Sequence, residues 1–223
     1  MPRKNLRTIR GRTLVALAVH AAIGASTVTR VVGSTDDDDI AEELRRAGAE
    51  VPALRPTALA ADDVRDGPVF IHVLDALAAT GYEPDIVVNV RPTAPLRGAK
   101  EIDGAVACLL AHPEARSVKC VVETERHPYK MWTLGDDGIL EPLLPGWRHE
   151  FGDDPDVPRQ YLPKVYRSSA AVDAVWTEAL RESGHFHPGP VVAFVLDAAR
   201  DVDVDTEDDL ILAESLLEED GES

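Results

Sequence analysis

The segment "PDIVVNV", Pro84 to Val90, decides the fold class. It is an almost continuous run of apolar and β-branched residues, which is typical of a strand that is buried on both faces. Amphipathic helical patterns precede it in "PVFIHVLDALAAT" and follow it in "AKEIDGAVACLLAH". A strand between two helices predicts a βαβ unit, and therefore a mainly parallel sheet that is covered by helices.

The same alternation continues towards both ends of the chain. Further helices are predicted at "TLVALAVHAAIGA" with Thr13 as N-cap, at "DDDDIAEELRRAGAE", at "AVWTEALRES" and at "TEDDLILAESLLEE". In the last of these Thr206 is the N-cap and Asp209 follows three positions later, which is close to a capping box. Further strands are predicted at "VTRVVGS", at "RSVKCVVET", near Ala171 and at "PVVAFVL". We therefore predict one α/β domain over residues 1–223, with a doubly wound, mainly parallel sheet.

The alternation is interrupted between about residues 126 and 166. This stretch is rich in Pro, Gly and aromatic residues, and it contains Trp132 and Trp147. Its "GDDG" lies between two short apolar runs, which predicts a β-hairpin. Because the stretch is too apolar for a linker, we interpret it as a protruding dimerisation arm that packs on another subunit. A local lid or subdomain is the alternative.

Composition and charge exclude several classes of protein. The 223 residues carry a net charge of -17, so a surface for nucleic acid is not expected, because the phosphates would be repelled. No apolar run reaches the ~20 residues that a membrane helix needs. The N-terminus is basic and then apolar like a signal peptide, but His20 ends the apolar run. With only two Cys and no disulfide framework, we predict a cytoplasmic protein.

The stretch "DVDVDT" follows the last predicted strand, where ligands bind in open parallel sheets. Strand alternation would place Asp201, Asp203 and Asp205 on one face, with the valines between them on the other. Two interpretations are open. The carboxylates form a solvated acidic edge, or they hold Mg²⁺, which prefers hard oxygen ligands and commonly takes one or two protein carboxylates together with phosphates.

Two further loops carry polar chemistry. The loop "RPTAPLR" has Arg91 and Arg97 on either side of a stiff double-Pro turn. Such a loop can grip a phosphate or carboxylate bidentately, or it is a helix entry with surface Arg residues. His185 and His187 in "GHFHPG" have the spacing of metal ligands. No third ligand is nearby, so a loop in which Phe186 packs is the favoured interpretation.

Six stretches in order resemble the CMP-sialic acid synthetase (acylneuraminate cytidylyltransferase) family. They are "PRKNLRTIRGRTLVALAVHAA", "VVGSTDDDDIAEELRRAGAEVPALRPTALAADD", "IVVNVRPTAPLR", "HPYKMW", "PRQYLPKVYR" and "DVDVDTEDDLILAE". The resemblance covers nearly the whole chain. It implies a Rossmann-like nucleotidyltransferase fold and a homodimer joined by an exchanged arm. It also implies transfer of CMP from CTP to the anomeric hydroxyl of a nonulosonic (sialic-type) sugar acid, with Mg²⁺ and release of pyrophosphate.

The resemblance also implies which residues act on the nucleotide. Asp203 and Asp205 would hold Mg²⁺ and, with Lys4, form the catalytic group. Lys4 would contact a phosphate, Asn5 the ribose and Arg55 the cytosine.

On the sugar side, the resemblance implies Arg91, Lys130 and Arg159, the last crossing from the partner subunit. Arg91 stands where sialate enzymes usually carry Gln, Ser169 where Asn is usual, and Asp173 where an aromatic residue is common. These departures leave the sugar open. A related transfer to 3-deoxy-manno-octulosonic acid, or from another nucleotide base, is the alternative.

The family pattern has a buried strand and an A-R-x-x-S-K loop before the Lys-Asn pair, whereas the sequence begins at "MPRKN". The expectation is that the natural chain starts further upstream or that the sequence is truncated. Without a loop that cradles the triphosphate, a catalytically silent sugar-nucleotide-binding module is a further alternative.

Overall fold

A computed structural model of the chain describes residues 1, 3–61, 63–144 and 157–221. They form two compact units, one made of Met1–Val121 with Ser168–Ser223 and the other of Val122–Arg167. The predicted arm at 126–166 falls within the second unit, and its Trp147 lies outside the described residues. None of the helices described is both long and apolar enough to span a bilayer.

The helices lie where the sequence predicts them, except that Ala174 to Trp176, predicted as the start of a helix, belong to the preceding strand. They are α1 (Leu14–Gly24), α2 (Asp38–Ala47), α3 (Asp66–Ala78), α4 (Ala99–Ala111), α5 (Thr177–Ser183) and α6 (Glu207–Gly221). The Thr13 side chain accepts a hydrogen bond from the Ala16 N–H, which confirms the predicted N-cap of α1. The Asp37 carboxylate likewise caps α2. Both side chains satisfy N–H groups that have no partner within the first turn of a helix.

The strands form one main sheet and two small ones. In chain order they are β1 (Thr8–Ile9), β2 (Arg12–Thr13), β3 (Ile86–Val90), β4 (Ser117–Thr124), β5 (Trp132–Leu134), β6 (Leu140–Pro142), β7 (Val165–Trp176) and β8 (Val191–Val195). The main sheet has the order β3-β7-β4-β8. β4 and β8 are parallel, whereas β3 and β7 are antiparallel. The sheet is therefore mixed, because the second unit rather than a covering helix leads into β7.

The predicted strand at "VTRVVGS" is wrong. The segment forms a single parallel bridge, between Val32 and Glu50, flanked by hydrogen bonds from Gly33 N to Glu50 O and from Glu50 N to Val31 O. The pairing stops there because Pro52 has no N–H to continue it.

Helices cover both faces of the main sheet. Alternate residues of β7 face opposite ways, so Val172 packs with Ile102 and Leu109 of α4, whereas Val175 packs with Leu74 of α3 and Leu180 of α5. A separate cluster joins the N-terminus to α6 and consists of Ile9, Leu14, Val204, Leu210 and Ala213. This cluster holds the acidic stretch against the N-terminal turn.

The second unit contains the hairpin that the sequence predicts. β5 and β6 pair with Trp132 opposite Pro142 and Leu134 opposite Leu140. Gly138 has a φ of 79°, which a glycine adopts without strain in this turn. Several large apolar side chains of this unit are exposed: Met131, Trp132, Leu134, Ile139, Leu140, Leu143, Leu144, Tyr161 and Tyr166.

Candidate functional site

The acidic stretch lies beside the loop that begins at Arg91. The Val204 N–H donates to the Thr93 carbonyl at 2.7 Å, and the Val204 side chain is 0% exposed. Asp203 and Asp205, on either side of it, are exposed. The predicted alternation of buried Val and exposed Asp is thus confirmed at these residues, although the stretch is extended chain rather than a strand.

Lys4 meets the acidic stretch directly. It opens a 3-10 turn, Lys4–Leu6, and its Nζ donates to Asp205 Oδ1 at 2.7 Å. Arg7, just after the turn, donates to Glu207 Oε2 at 2.6 Å. Asn5 lies in the same turn and is partly buried. The structure therefore brings together two predicted site residues, Lys4 and Asp205, and Asn5 is the chain neighbour of Lys4.

The backbone of Asp205 is fixed by the cap of α6. The Asp209 carboxylate accepts hydrogen bonds from the Thr206 hydroxyl (2.8 Å), the Thr206 N–H (2.8 Å) and the Asp205 N–H (3.1 Å). Thr206 Oγ1 in turn accepts from the Asp209 N–H, which confirms the predicted capping arrangement. The hydrogen bonds from Thr206 and then Asp205 lower the pKa of Asp209 below its usual value, because they favour its ionised form.

The acidic pair fits a cation that arrives with phosphate. Asp203 and Asp205 are both exposed, and the buried Val204 lies between them in the chain. Across the described parts of the chain, no three His, Cys, Asp or Glu side chains are arranged to hold a metal. Mg²⁺ needs only one or two protein carboxylates when phosphates and water complete its shell. The donor set thus suits Mg²⁺ and does not form a closed structural metal site.

Arg55 lies beside a different loop of the first unit. Its Nε donates to Ser34 Oγ at 3.1 Å and its NH2 to the Ser34 carbonyl at 2.7 Å, while its own N–H donates to the Thr35 carbonyl at 2.7 Å. These bonds anchor Arg55 to the loop that follows the bridge at Val32. A guanidinium has five N–H donors, so donors remain for a ligand.

Arg91 lies between two carboxylates. Its NH2 donates to Asp66 Oδ2 at 2.8 Å, and its NH1 is 3.7 Å from Asp173 Oδ2. Asp173 is 2% exposed, and the same oxygen lies 3.2 Å from His187 Nε2 and 3.7 Å from Lys119 Nζ. Sequence reasoning missed Lys119 and the contact of His187. The available signal was an Asp inside the apolar run of β7.

The charge of Asp173 is stabilised by its neighbours. Burial raises the pKa of this carboxyl. The hydrogen bond from His187 and the charges of Lys119 and Arg91 lower the pKa by more than burial raises it, so the pKa of Asp173 lies below its usual value. The Cys120 N–H also donates to Asp173, at 3.2 Å. The carboxylate therefore stays ionised although it is buried.

The packing role predicted for Phe186 is confirmed. It is buried, and its ring centroid lies 4.5 Å from that of Phe70. This packing fixes the loop that carries His187.

Arg97 is a buried structural residue rather than a surface one. Its Nε donates to the Ala171 carbonyl at 2.8 Å and its NH2 donates to the Arg91 carbonyl. Burial lowers its pKa to about 10. These bonds tie the loop that begins at Arg91 to β7, so the backbone of Arg91 is held in place.

Lys130 and Arg159 belong to the second unit. Lys130 is exposed at the end of the turn Pro128–Lys130. Arg159 NH1 donates to Glu125 Oε2 at 2.7 Å, and both side chains are largely exposed. An exposed ion pair of this kind contributes little free energy, so Glu125 does little to fix the position of the Arg159 side chain.

Comparisons with known proteins find similar cytidylyltransferases. A family model described as "Cytidylyltransferase" matches residues 1–130. The CMP-N,N'-diacetyllegionaminic acid synthase of Legionella pneumophila is 26% identical over 219 residues, which are 98% of this chain and 90% of that protein. The 3-deoxy-manno-octulosonate cytidylyltransferase of Anaeromyxobacter sp. (strain K) is 27% identical over 236 residues, covering 97% of this chain and 91% of the relative.

A solved structure shares the fold. It is a CMP:2-keto-3-deoxy-manno-octonic acid synthetase complexed with CTP, with a TM-score of 0.69 and 12% identity, covering 99% of this chain and 93% of that chain. At that identity the likeness shows the fold alone. It confirms the predicted Rossmann-like nucleotidyltransferase fold.

Proposed function

This chain belongs to the cytidylyltransferase family, and from that premise we propose that it transfers CMP from CTP to the anomeric hydroxyl of a nonulosonic (sialic-type) sugar acid. The observation that carries the proposal is the contact of Lys4 with Asp205, beside Asp203. The hydrogen bond from Val204 to Thr93 places this group next to the loop that begins at Arg91. Transfer of a nucleotidyl group between two anionic substrates requires groups that neutralise and position their charges. A lysine for phosphate, a pair of carboxylates for a cation and a basic loop can supply them.

The reaction is a substitution at the α-phosphorus. The anomeric oxygen of the sugar forms the new bond to phosphorus, the bond from that phosphorus to its bridging oxygen breaks, and pyrophosphate leaves with the negative charge. The hydroxyl proton passes to solvent. Catalysis of this kind is mostly positioning and neutralisation of charge.

Lys4 would bind an oxygen of the phosphate chain. The contact of Lys4 Nζ with Asp205 Oδ1 at 2.7 Å holds the lysine beside the acidic pair. Asp203 and Asp205 would hold Mg²⁺, which when bound neutralises phosphate charge and lowers the pKa of the attacking hydroxyl. Lys4 would then exchange one anionic partner for another.

The remaining predicted residues would select the substrates. Asn5 would bind the ribose and Arg55 the cytosine, using guanidinium donors that Ser34 leaves available. Arg91 would bind the sugar acid, and the family resemblance implies Lys130 and, from the partner subunit, Arg159 as further residues for it. Such local cations explain how a protein with a net charge of -17 could bind two anions.

A second sugar is supported by a specific observation. The relative that acts on 3-deoxy-manno-octulosonate is as similar as the legionaminic acid relative. The 3-deoxy-manno-octulosonate reaction is therefore the alternative.

We also propose that the protein works as a cytoplasmic homodimer joined through the second unit. The exposed apolar side chains of the hairpin, among them Trp132 and Leu134, support an interface with a second copy. Cys108 and Cys120 are free thiols, as is usual in a reducing compartment.

The test is a pyrophosphate-release assay with CTP, Mg²⁺ and a panel of ulosonic acids. Asp203→Asn should reduce turnover much more than CTP binding, because it removes a cation ligand and leaves the base and ribose contacts. Asp208→Asn removes the same charge from an exposed position on α6 and is the matched control. Unchanged turnover in Asp203→Asn would remove the metal assignment. A wild-type chain that turns over none of the acids, also when extended upstream, would refute the function.

A further inference from the structure

Polar groups from two strands and a loop converge on the Asp173 carboxylate, which itself lies on β7. Lys119 comes from β4, Arg91 from the end of β3, and His187 from the loop before β8, while the Cys120 N–H binds the other carboxylate oxygen. Lys119 Nζ and His187 Nε2 are themselves 3.3 Å apart. A single buried carboxylate thus has more cationic neighbours than its one charge requires.

Asp173 is the fixed partner of Arg91. It lies within β7, where the sheet register sets it opposite Asn89 of β3. Asp66, which binds the other end of the guanidinium, is 50% exposed and can rotate at the start of α3. The long side chain of Arg91 has many rotamers, so a buried charge nearby restricts where its guanidinium lies.

The extra cations have a physical consequence for an anionic substrate. An ionised Asp173 alone would cancel the charge of Arg91 and repel a carboxylate. Lys119 compensates that charge from another side, and a ring nitrogen of His187 lies 3.2 Å from the same carboxylate oxygen. Arg91 then keeps its remaining N–H donors for a ligand while its orientation is set.

We propose that Asp173 is a positioning residue that orients Arg91 for the carboxylate of the sugar acid, with Lys119 offsetting its charge and His187 contacting the same oxygen. Asp173 acts through Arg91 and does not touch the substrate. The inference rests on the proposed function, in which Arg91 binds the sugar acid.

The experiment is a double-substitution cycle with separate kinetics for each substrate. Asp173→Asn keeps the shape of the side chain and the oxygen that accepts from Cys120. It should raise the KM for the sugar acid about tenfold or more and leave the KM for CTP within about twofold. The double variant Asp173→Asn with Arg91→Gln should have the same KM for the sugar acid as Arg91→Gln alone, because the two side chains act as one unit.

Two more variants serve as comparisons for the change in KM. Asp66→Asn should have a smaller effect than Asp173→Asn, because an exposed ion pair is weak. Asp75→Asn removes an exposed carboxylate of α3 that pairs with Arg181 at 2.7 Å, and it should leave both KM values unchanged. If Asp173→Asn folds poorly, Lys119→Met replaces it. That variant leaves the charge of Asp173 uncompensated, so it should also raise only the KM for the sugar acid.

The proposal is overturned if both KM values rise together, or if the effects of Asp173→Asn and Arg91→Gln multiply. If the wild-type protein transfers CMP to none of the acids, the proposed function is refuted, but the pairing of Asp173 with Arg91 can still be tested. The shifts in melting temperature of the same cycle then decide the positioning claim. Non-additive shifts support the pairing of Asp173 with Arg91, and additive shifts contradict it.

Discussion

Substitution of Val204 by Ala tests how the acidic pair is held. Val204 is 0% exposed and packs with Ile9, Leu14 and Leu210 in the cluster that joins the N-terminus to α6. Its side chain is the anchor between the two exposed carboxylates, Asp203 and Asp205. Ala keeps the backbone hydrogen bond to Thr93, so the substitution removes the packing alone.

The size of the effect follows from the atoms removed. Val→Ala deletes two methyl groups, which are worth ~0.8 kcal/mol each in transfer free energy, and the cavity that remains adds to this. The free energy of unfolding should fall by about 2–3 kcal/mol. For a chain of this length, that corresponds to a drop in melting temperature of roughly 5–10 °C.

The assay is thermal unfolding followed by circular dichroism, with CMP transfer measured well below the transition. Val195→Ala removes the same atoms from a side chain that is 54% exposed, and its melting temperature should change much less. Transfer by Val204→Ala should fall several-fold while the protein stays folded, because Asp203 and Asp205 lose their anchor. An unfolding temperature equal to that of the wild type would refute the packing argument.

Three further predictions concern the rest of the chain. A thiol reagent at neutral pH should modify Cys108, which is partly exposed, before Cys120, because burial raises the pKa of the Cys120 thiol to about 12; labelling that persists unchanged in Cys108→Ser would contradict this. The lowered pKa of Asp173 means that the folded protein binds its proton less tightly than the unfolded chain; its contribution to stability is full above its ordinary pKa of ~4 and is lost as pH falls through the lower folded value. The melting temperature of the wild type should therefore fall more steeply below about pH 4 than that of Asp173→Asn, and parallel curves would contradict the assignment. Leu134→Glu places a charge at a hairpin position that is 72% exposed, so light scattering should detect monomers; a monomeric wild type would refute the interface.

Features that are set by neighbouring residues could be predicted from the sequence. The caps at Thr13 and Thr206 depend on side chains and N–H groups within one turn, and the hairpin after Trp132 depends on its own Gly residues. Polarity alternates within a few residues, so the burial of Val204 between two exposed Asp residues also follows from the local pattern.

Features that depend on pairing between distant segments could not be predicted. The segment "VTRVVGS" has the composition of a strand, yet it forms only one bridge because its partner continues into Pro52. Nothing near Asp173 in sequence indicates that Lys119, His187 and Arg91 meet it, since the sheet register and a loop bring them together. The hydrogen bond from Val204 to Thr93 is likewise a contact of the folded chain, and it places the acidic pair beside the basic loop.

The most direct test of CMP transfer follows the oxygen of the new bond. A sugar acid labelled with ¹⁸O at its anomeric hydroxyl is incubated with CTP and Mg²⁺, and the products are analysed by mass spectrometry. Attack by that hydroxyl on the α-phosphorus predicts the label in the CMP-sugar and unlabelled pyrophosphate. Label in pyrophosphate or in free phosphate, or CTP that is hydrolysed without forming a sugar nucleotide, would contradict it.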